Sequence, residues 1–193
     1  MLQKLKKLLK APHFTSQEAI ELGVSSALLS YYVKIGALER LGRGIYRGIN
    51  AKTVNDFKIE DLANSIACAK NGVICLISAL AFYELTDETP RQHWIAVPHK
   101  TRHRASPSVK IIRYRNIDLG KTYIKDNGIS LPIFDRERTI LDSFRYLGIE
   151  TSLKALSLAL SKKGKEKINI EKLRKYSNIL HININSYILA LTT

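Results

Sequence analysis

Two glycines, Gly23 and Gly36, divide the stretch FTSQEAIELGVSSALLSYYVKIGALERLGRGIYR at 14–47 into two short helical patterns and a small basic hairpin. The first pattern starts at Thr15 or Ser16, either of which can accept a backbone N–H as an N-cap. Glu18, three residues after Thr15, completes a capping box. Ala19, Ile20 and Leu22 form the apolar side, and Gly23 ends the helix. Val24 reads as a buried spacer. Ser25 offers a second cap, so 26–35 forms a second helix, closed by Gly36. Leu28, Leu29, Tyr32 and Val33 have the 3–4 spacing of a packed face. Ser26, Ala27, Ser30, Tyr31 and Lys34 fall on the other face. After Gly36, 38–41 reads as a strand, Gly42-Arg43-Gly44 as a turn and 45–47 as a returning strand.

A helix–turn–helix lays its second helix in the DNA major groove, and a hairpin directly after it is the wing of a winged helix. Small, polar and basic side chains on the outer face of that helix can approach base edges and phosphates. Arg40, Arg43 and Arg47 put three guanidinium groups on or beside the wing, and arginine's planar fork suits phosphate and minor-groove contact. The residues expected at DNA are therefore Thr15, Ser25, Ser26, Ala27, Ser30, Tyr31, Lys34, Arg40, Arg43 and Arg47. The blander reading is a small three-helix domain with a solvated basic face.

Charge bears on that choice. The chain has 193 residues with 31 basic against 17 acidic, a formal net charge of +14. Such an excess favours a polyanion or an acidic protein as partner. The longest apolar run, around 73–85, is interrupted by Ser78 and Glu84 and falls short of the ~18–20 residues of a membrane span. The N-terminal MLQKLKKLLK lacks the apolar core and small-residue cleavage site of a secretion signal. Cys68 and Cys75 each sit in an apolar pattern without other metal-ligand types at useful spacing. They read as reduced core residues of a cytoplasmic protein, with a disulfide as the alternative.

Along the chain, Leu2, Leu5, Leu8 and Leu9 give residues 2–10 one apolar face, expected to be the first helix of the N-terminal domain. A membrane-surface helix is the competing reading. Residues 48–55 read as a connector, and Asp56 as the cap of a helix running to about residue 70. Asn71-Gly72 is a turn, and 73–76 reads as a strand entering a buried helix. Strands follow at 93–98 and 109–114. From 91 to 115 the chain is basic throughout, with Arg91, Lys100, Arg102, Arg104, Lys110, Arg113 and Arg115 and no acidic residue. This stretch is a candidate second surface for nucleic acid, for an acidic partner or for a nucleotide phosphate. Another strand reads at 128–133. Asp135 can cap a helix whose apolar side is Ile140, Leu141, Phe144 and Leu147. Helices at 150–163, after Asn169 and at 182–191 complete an α+β chain. The expected division is a winged helix–turn–helix over 1–50 and a mixed α+β domain ending in helices over 51–193.

Taken together, FTSQEAIELGVSSALLSYYVKIGALERLGRGIYR at 14–47, VICLISALAFYELTDETP at 73–90 with WIAVP at 94–98, and IFDRERTILDSF at 133–144 resemble the AbiEi family of antitoxins from bacterial type IV toxin–antitoxin and abortive-infection operons. The resemblance implies an N-terminal winged helix that binds operator repeats and represses its own operon. It also implies a C-terminal domain that counters a cognate nucleotidyltransferase-type toxin, AbiEii.

An enzymatic reading would start from Asp135, Glu137 and Asp142, since a nuclease holds a divalent metal with two or three carboxylates. On a helix Glu137 points away from the other two, and Arg136 and Arg138 interleave with them. An N-cap, a first-turn glutamate and surface ion pairs account for the three more simply. No HExxH, GxSxG or Walker-type loop occurs. The expectation is a non-enzymatic repressor of its own operon that also counters a toxin, without metal or cofactor, acting on double-stranded operator repeats. Two chains would occupy two half-sites, because one winged helix buries modest surface. The competing reading is an interaction module that binds an acidic partner through its basic surface and DNA only non-specifically.

Overall fold

The computed structural model describes residues 5–6, 8–11, 13–42, 44–51, 57–67, 69, 71–101, 107–126 and 129–192. They form an α+β fold of eight α-helices and two sheets. The chain divides into two units, Met1–Lys70 with Lys125–Ser130, and Asn71–Ile124 with Leu131–Thr193. No described helix is long and apolar enough to cross a membrane.

In the first unit a 3-10 turn, Leu8–Lys10, precedes β1 (Phe14–Thr15), α1 (Ser16–Glu21), α2 (Ser26–Lys34), β2 (Leu38–Gly42), β3 (Ile45–Gly48) and α3 (Phe57–Ala67). Of the helix expected over 2–10, residues 2–4 and 7 lie outside the described residues, as does the expected cap Asp56, and 8–10 form a 3-10 turn rather than a continuing α-helix. Leu5 is nonetheless fully buried in this unit's core, with Leu8 and Leu9 packed against it. The rest of that core is Phe14, Ala19, Val24, Leu29, Tyr32, Leu38 and Tyr46. Leu28 and Val33 pack on it, so the 3–4 face read from the sequence is the buried face of α2.

Two side chains depart from expectation. Ile20 is 52% exposed and Leu22 41%. Helix α1 has six residues, under two turns at 3.6 residues per turn, and its only buried residue is Ala19. The three strands run in the order β1-β3-β2, all antiparallel. β1 was not evident in the sequence. Its two residues pair Phe14 with Tyr46 and Thr15 with Ile45.

The second unit is built on a sheet of order β6-β5-β4-β8-β7, comprising β4 (Val73–Ile74), β5 (His93–Pro98), β6 (Val109–Tyr114), β7 (Lys121–Asp126) and β8 (Ile129–Phe134). β4 is antiparallel to β5 and parallel to β8, and β5 is parallel to β6. The helices are α4 (Leu76–Phe82), α5 (Arg136–Tyr146), α6 (Ile149–Ser161), α7 (Ile170–Leu180) and α8 (Asn185–Thr192). Ile77, Leu80, Ile140, Leu141, Leu156, Leu173 and Ile188 belong to one core cluster. Val73, Cys75, Leu76, Ala96, Tyr114 and Phe134 form another. Caps at Asp135 and Asn169 start α5 and α7 as their sequences suggest, each accepting from the backbone N–H three residues on. Cys75 is a buried free thiol. Burial, reinforced by the Asp142 charge, pushes its pKa well up and keeps it protonated. Cys68 lies outside the described residues.

The carboxylates of α5 need a correction. The ion pair of Asp142 lies inside the fold, not at its surface, because α5 is buried along most of its length, whereas Asp135 and Glu137 pair with a partly exposed lysine. Asp142 is 0% exposed and Arg138 1%. Arg138 Nε donates to Asp142 Oδ2 at 2.8 Å, and its Nη1 donates to the carbonyls of Asn116 and Leu119 at 3.2 and 3.0 Å. Its guanidinium also lies 4.8 Å from the Phe134 ring centre and 5.3 Å from that of Tyr114. Asp135 and Glu137 both pair with Lys172 of α7, at 3.0 and 3.2 Å. Glu137 accepts the Asn169 N–H as well, at 2.9 Å. Asp135 and Glu137 thus tie α5 to α7, while Asp142 holds the arginine that reaches the turn before β7. Among the described residues, no group of three or more His, Cys, Asp or Glu side chains could hold a metal ion.

This burial carries a pH signature. Desolvation pushes the Asp142 carboxyl up to about 6, against the pull of Arg138. Asp135 is raised in the same direction by burial. A carboxyl raised on folding adds stability below its unfolded value, and that stability is lost as pH rises through the folded value. Melting temperature should therefore fall as pH rises from about 4 to 6.5. Asp142→Asn should flatten that slope in a melting series across the interval, whatever its effect on absolute stability. An unaltered slope would locate the pH dependence elsewhere.

Candidate nucleic-acid interface

The first unit's exposed chemistry follows from its two capped helices. Thr15 caps α1: its Oγ1 accepts the Glu18 N–H at 3.2 Å, while its own N–H donates to Glu18 Oε2 at 2.7 Å. Ser25 caps α2, its Oγ accepting the Leu28 N–H at 3.3 Å. These two candidate residues thus shape the helix starts. Gly23 and Gly36, with φ of 77° and 72°, take the left-handed conformations that reverse the chain after each helix.

Ser26, Ala27, Ser30, Tyr31 and Lys34 are all exposed, and their spacing sets them in one stripe along α2. The Ser30 hydroxyl donates back to the Ser26 carbonyl at 3.1 Å, which leaves its lone pairs toward solvent. Tyr31 is 54% exposed, its ring tilted against Tyr32 at 5.9 Å. Lys34 lies in the last turn, where the helix dipole favours a cation. The stripe carries no carboxylate.

The hairpin β2–β3 stands directly after α2. A bulge between Arg40 and Gly42 bends its outer strand. Its turn is tied to the start of α1, since the Ser16 N–H donates to the Gly44 carbonyl at 2.7 Å. Arg40 is exposed on β2. Arg43 lies outside the described residues. Arg47, expected beside the DNA backbone, is turned into the unit. Its Nε and Nη2 donate to Glu39 Oε2 at 3.2 and 2.7 Å, and its Nη1 donates to Glu60 of α3. Glu39 is its cross-strand partner in the register. Neither glutamate is signalled by local spacing, and sequence reading did not find them. His13 adds little charge here, because burial lowers its pKa against the opposing pull of Glu18.

In the second unit, Arg91, Lys100, Lys110, Arg113 and Arg115 are all exposed. Arg102 and Arg104 lie outside the described residues. Lys110 sits over the Trp94 ring, 3.6 Å from its centre. The basic stretch therefore spans the ends and the outer edge of the β5–β6 pair.

Residues 3–47 match the sequence model of a family described as "Transcriptional regulator, AbiEi antitoxin". The matched segment covers α1, α2 and the hairpin up to Arg47. No curated protein matches the chain. The likeness to this family of AbiEi antitoxin transcriptional regulators thus covers residues 3–47, the segment that holds the exposed stripe of α2 and the hairpin.

Proposed function

We propose that the chain is a winged-helix repressor that binds repeats upstream of its own operon and counters a nucleotidyltransferase-type toxin of the AbiEii kind. The observation that carries this reading is the exposed, carboxylate-free stripe of α2, followed directly by a hairpin, inside the segment matching a regulator family. In this reading residues 1–50 are the DNA-binding domain and 51–193 the domain that acts against the toxin. Ser26, Ala27, Ser30, Tyr31 and Lys34 meet base edges and adjoining phosphates, and Arg40 and Arg43 hold the backbone. Ser25 presents the start of α2, whose N–H groups favour a phosphate, and Thr15, with Glu18 on its own N–H, holds the start of α1 beside it. Two chains occupy two half-sites in the cytoplasm, and no metal or cofactor takes part.

The test is a gel-shift titration of the upstream region against a scrambled duplex at two salt concentrations. A preference for the upstream region that survives the higher salt supports the reading. Equal, salt-sensitive binding to both would reduce the affinity to the +14 charge of the chain. Protection of one half-site only, at saturating protein, would count against two-chain occupancy.

Two substitutions separate direct from indirect roles on the hairpin. Arg40→Ala is expected to weaken binding to all sequences alike and to lower the salt slope by about one unit, the mark of one lost phosphate contact. Arg47→Ala should also weaken binding, but with the slope unchanged, because its charge is already met by Glu39 and Glu60. Its effect comes through the hairpin's attachment to α3, so Glu60→Gln should act in the same direction. A slope that falls with Arg47→Ala would return that guanidinium to the phosphates.

A further inference from the structure

The basic strand β6 closes one side of the five-stranded sheet, and among the described residues no strand pairs with its outer side. The backbone register says which groups face outward. His93 N–H donates to the Ser108 carbonyl at 2.8 Å and His99 N–H to the Tyr114 carbonyl at 3.0 Å. Backbone groups alternate along a strand, so the even-numbered residues of β6 bond toward β5. Val109, Ile111 and Arg113 thus aim their N–H and C=O groups away from the sheet.

We infer that this outer edge of β6 is a docking site for an acidic, extended segment of a protein partner, which adds to the sheet as a further strand. The inference does not rest on the DNA-binding reading. Cations stand on both faces of the edge. Lys110 lies on the face it shares with Trp94, and Arg113 on the opposite face beside Ile111. Lys100 and Arg115 follow the C-terminal ends of the two strands. None of these side chains pairs with a carboxylate among the described residues.

Charge selects the occupant. A second copy of β6 would bring the same cations, Lys110, Arg113 and Arg115, to the shared edge with no carboxylate to offset them, and like charges brought together across a strand pair destabilise it. Charged edges block self-association in this way. The same charges attract an incoming strand of alternating acidic residues, which also meets the free N–H and C=O groups. Nucleic acid cannot use that backbone ladder. Trp94, covered by Lys110 at 3.6 Å, offers no open ring face on which a base could stack.

The experiment uses the full chain and a labelled synthetic peptide of alternating valine and glutamate, followed by fluorescence anisotropy and by amide hydrogen exchange. The peptide is expected to bind and to slow exchange at the Ile111 and Arg113 amides. Arg113→Glu combined with Arg115→Glu should weaken it by about tenfold or more, and so should N-methylation of alternate peptide amides. Both arginines are exposed, and circular dichroism checks that the variant is folded. Failure of the peptide to bind would overturn the inference. So would equal binding of the methylated peptide, or unchanged exchange at Ile111 and Arg113, because charge alone would then suffice. If the double variant loses affinity for a mixed-sequence duplex as steeply as for the peptide, the edge is a nucleic-acid surface and the inference fails.

Discussion

Replacing Arg138 by alanine is expected to lower the unfolding free energy by about 3–5 kcal/mol, because it leaves a buried carboxylate without its counter-charge. Asp142, at 0% exposure, would lose the donor at 2.8 Å that offsets its desolvation. The carbonyls of Asn116 and Leu119 would lose the same guanidinium, so the turn leading into β7 loosens too. Urea unfolding followed by circular dichroism measures the loss. A change below about 1 kcal/mol would mean that water reaches the site and the pair is not truly buried. Breaking the pair is the harmful step; burying two charges is not in itself stabilising. Arg138→Met combined with Asp142→Leu should therefore recover much of the loss, and a double variant as unstable as Arg138→Ala would contradict that account.

The second large effect is expected at Gly120. Its φ is +75°, in the left-handed region, and a Cβ there would lie 2.6 Å from Arg138 Cβ. Its carbonyl also accepts the Asp135 N–H at 2.7 Å, next to the start of α5, so the turn has little freedom to withdraw. Strain for a non-glycine residue here is about 1–3 kcal/mol, and overpacking adds about 1–3 kcal/mol. Gly120→Ala should thus destabilise by about 2–6 kcal/mol, read by the same unfolding measurement. Gly148→Ala is the control. Nothing lies within 4 Å of its added Cβ, so its loss should stay near the ~1 kcal/mol of a poorer N-cap for α6. Gly120 and Arg138 are neighbours, so their losses should not simply add.

The features that sequence made legible are those decided by neighbours along the chain. Thr15 with Glu18, Ser25, Asp135 and Asn169 each cap a helix, because a short polar side chain before an apolar pattern needs only the next turn to act on. The exposed stripe of α2 followed from the packed positions Leu28, Leu29, Tyr32 and Val33. Strands β5 and β6 fell at their expected residues for the same local reasons. What escaped depends on distant partners. Nothing near Arg47 announces Glu60, and nothing in the α5 sequence distinguishes a buried Arg138 from an exposed one. The parallel pairing of β5 with β6, and the two-residue β1, are set by what the rest of the fold brings alongside. Ile20 and Leu22 were misplaced because periodicity reports which face is apolar, not whether a short helix has core beneath all of it.

The order in which the sheet's strands leave the ribosome carries a cost of its own. β4 is two residues long and sits between β5 and β8, with Ile74 opposite Ile133. At about 5–20 residues per second, β8 is synthesised some 3–12 s after β4. Through that interval Val73, Ile74 and the apolar start of α4 have half of their neighbours and one open side. Loop closure over such a distance slows folding further. Nascent chains held in this window are exposed to mispairing and capture by chaperones. A pause in translation before β8 would prolong that exposure, while a pause after α5 would leave the sheet time to close.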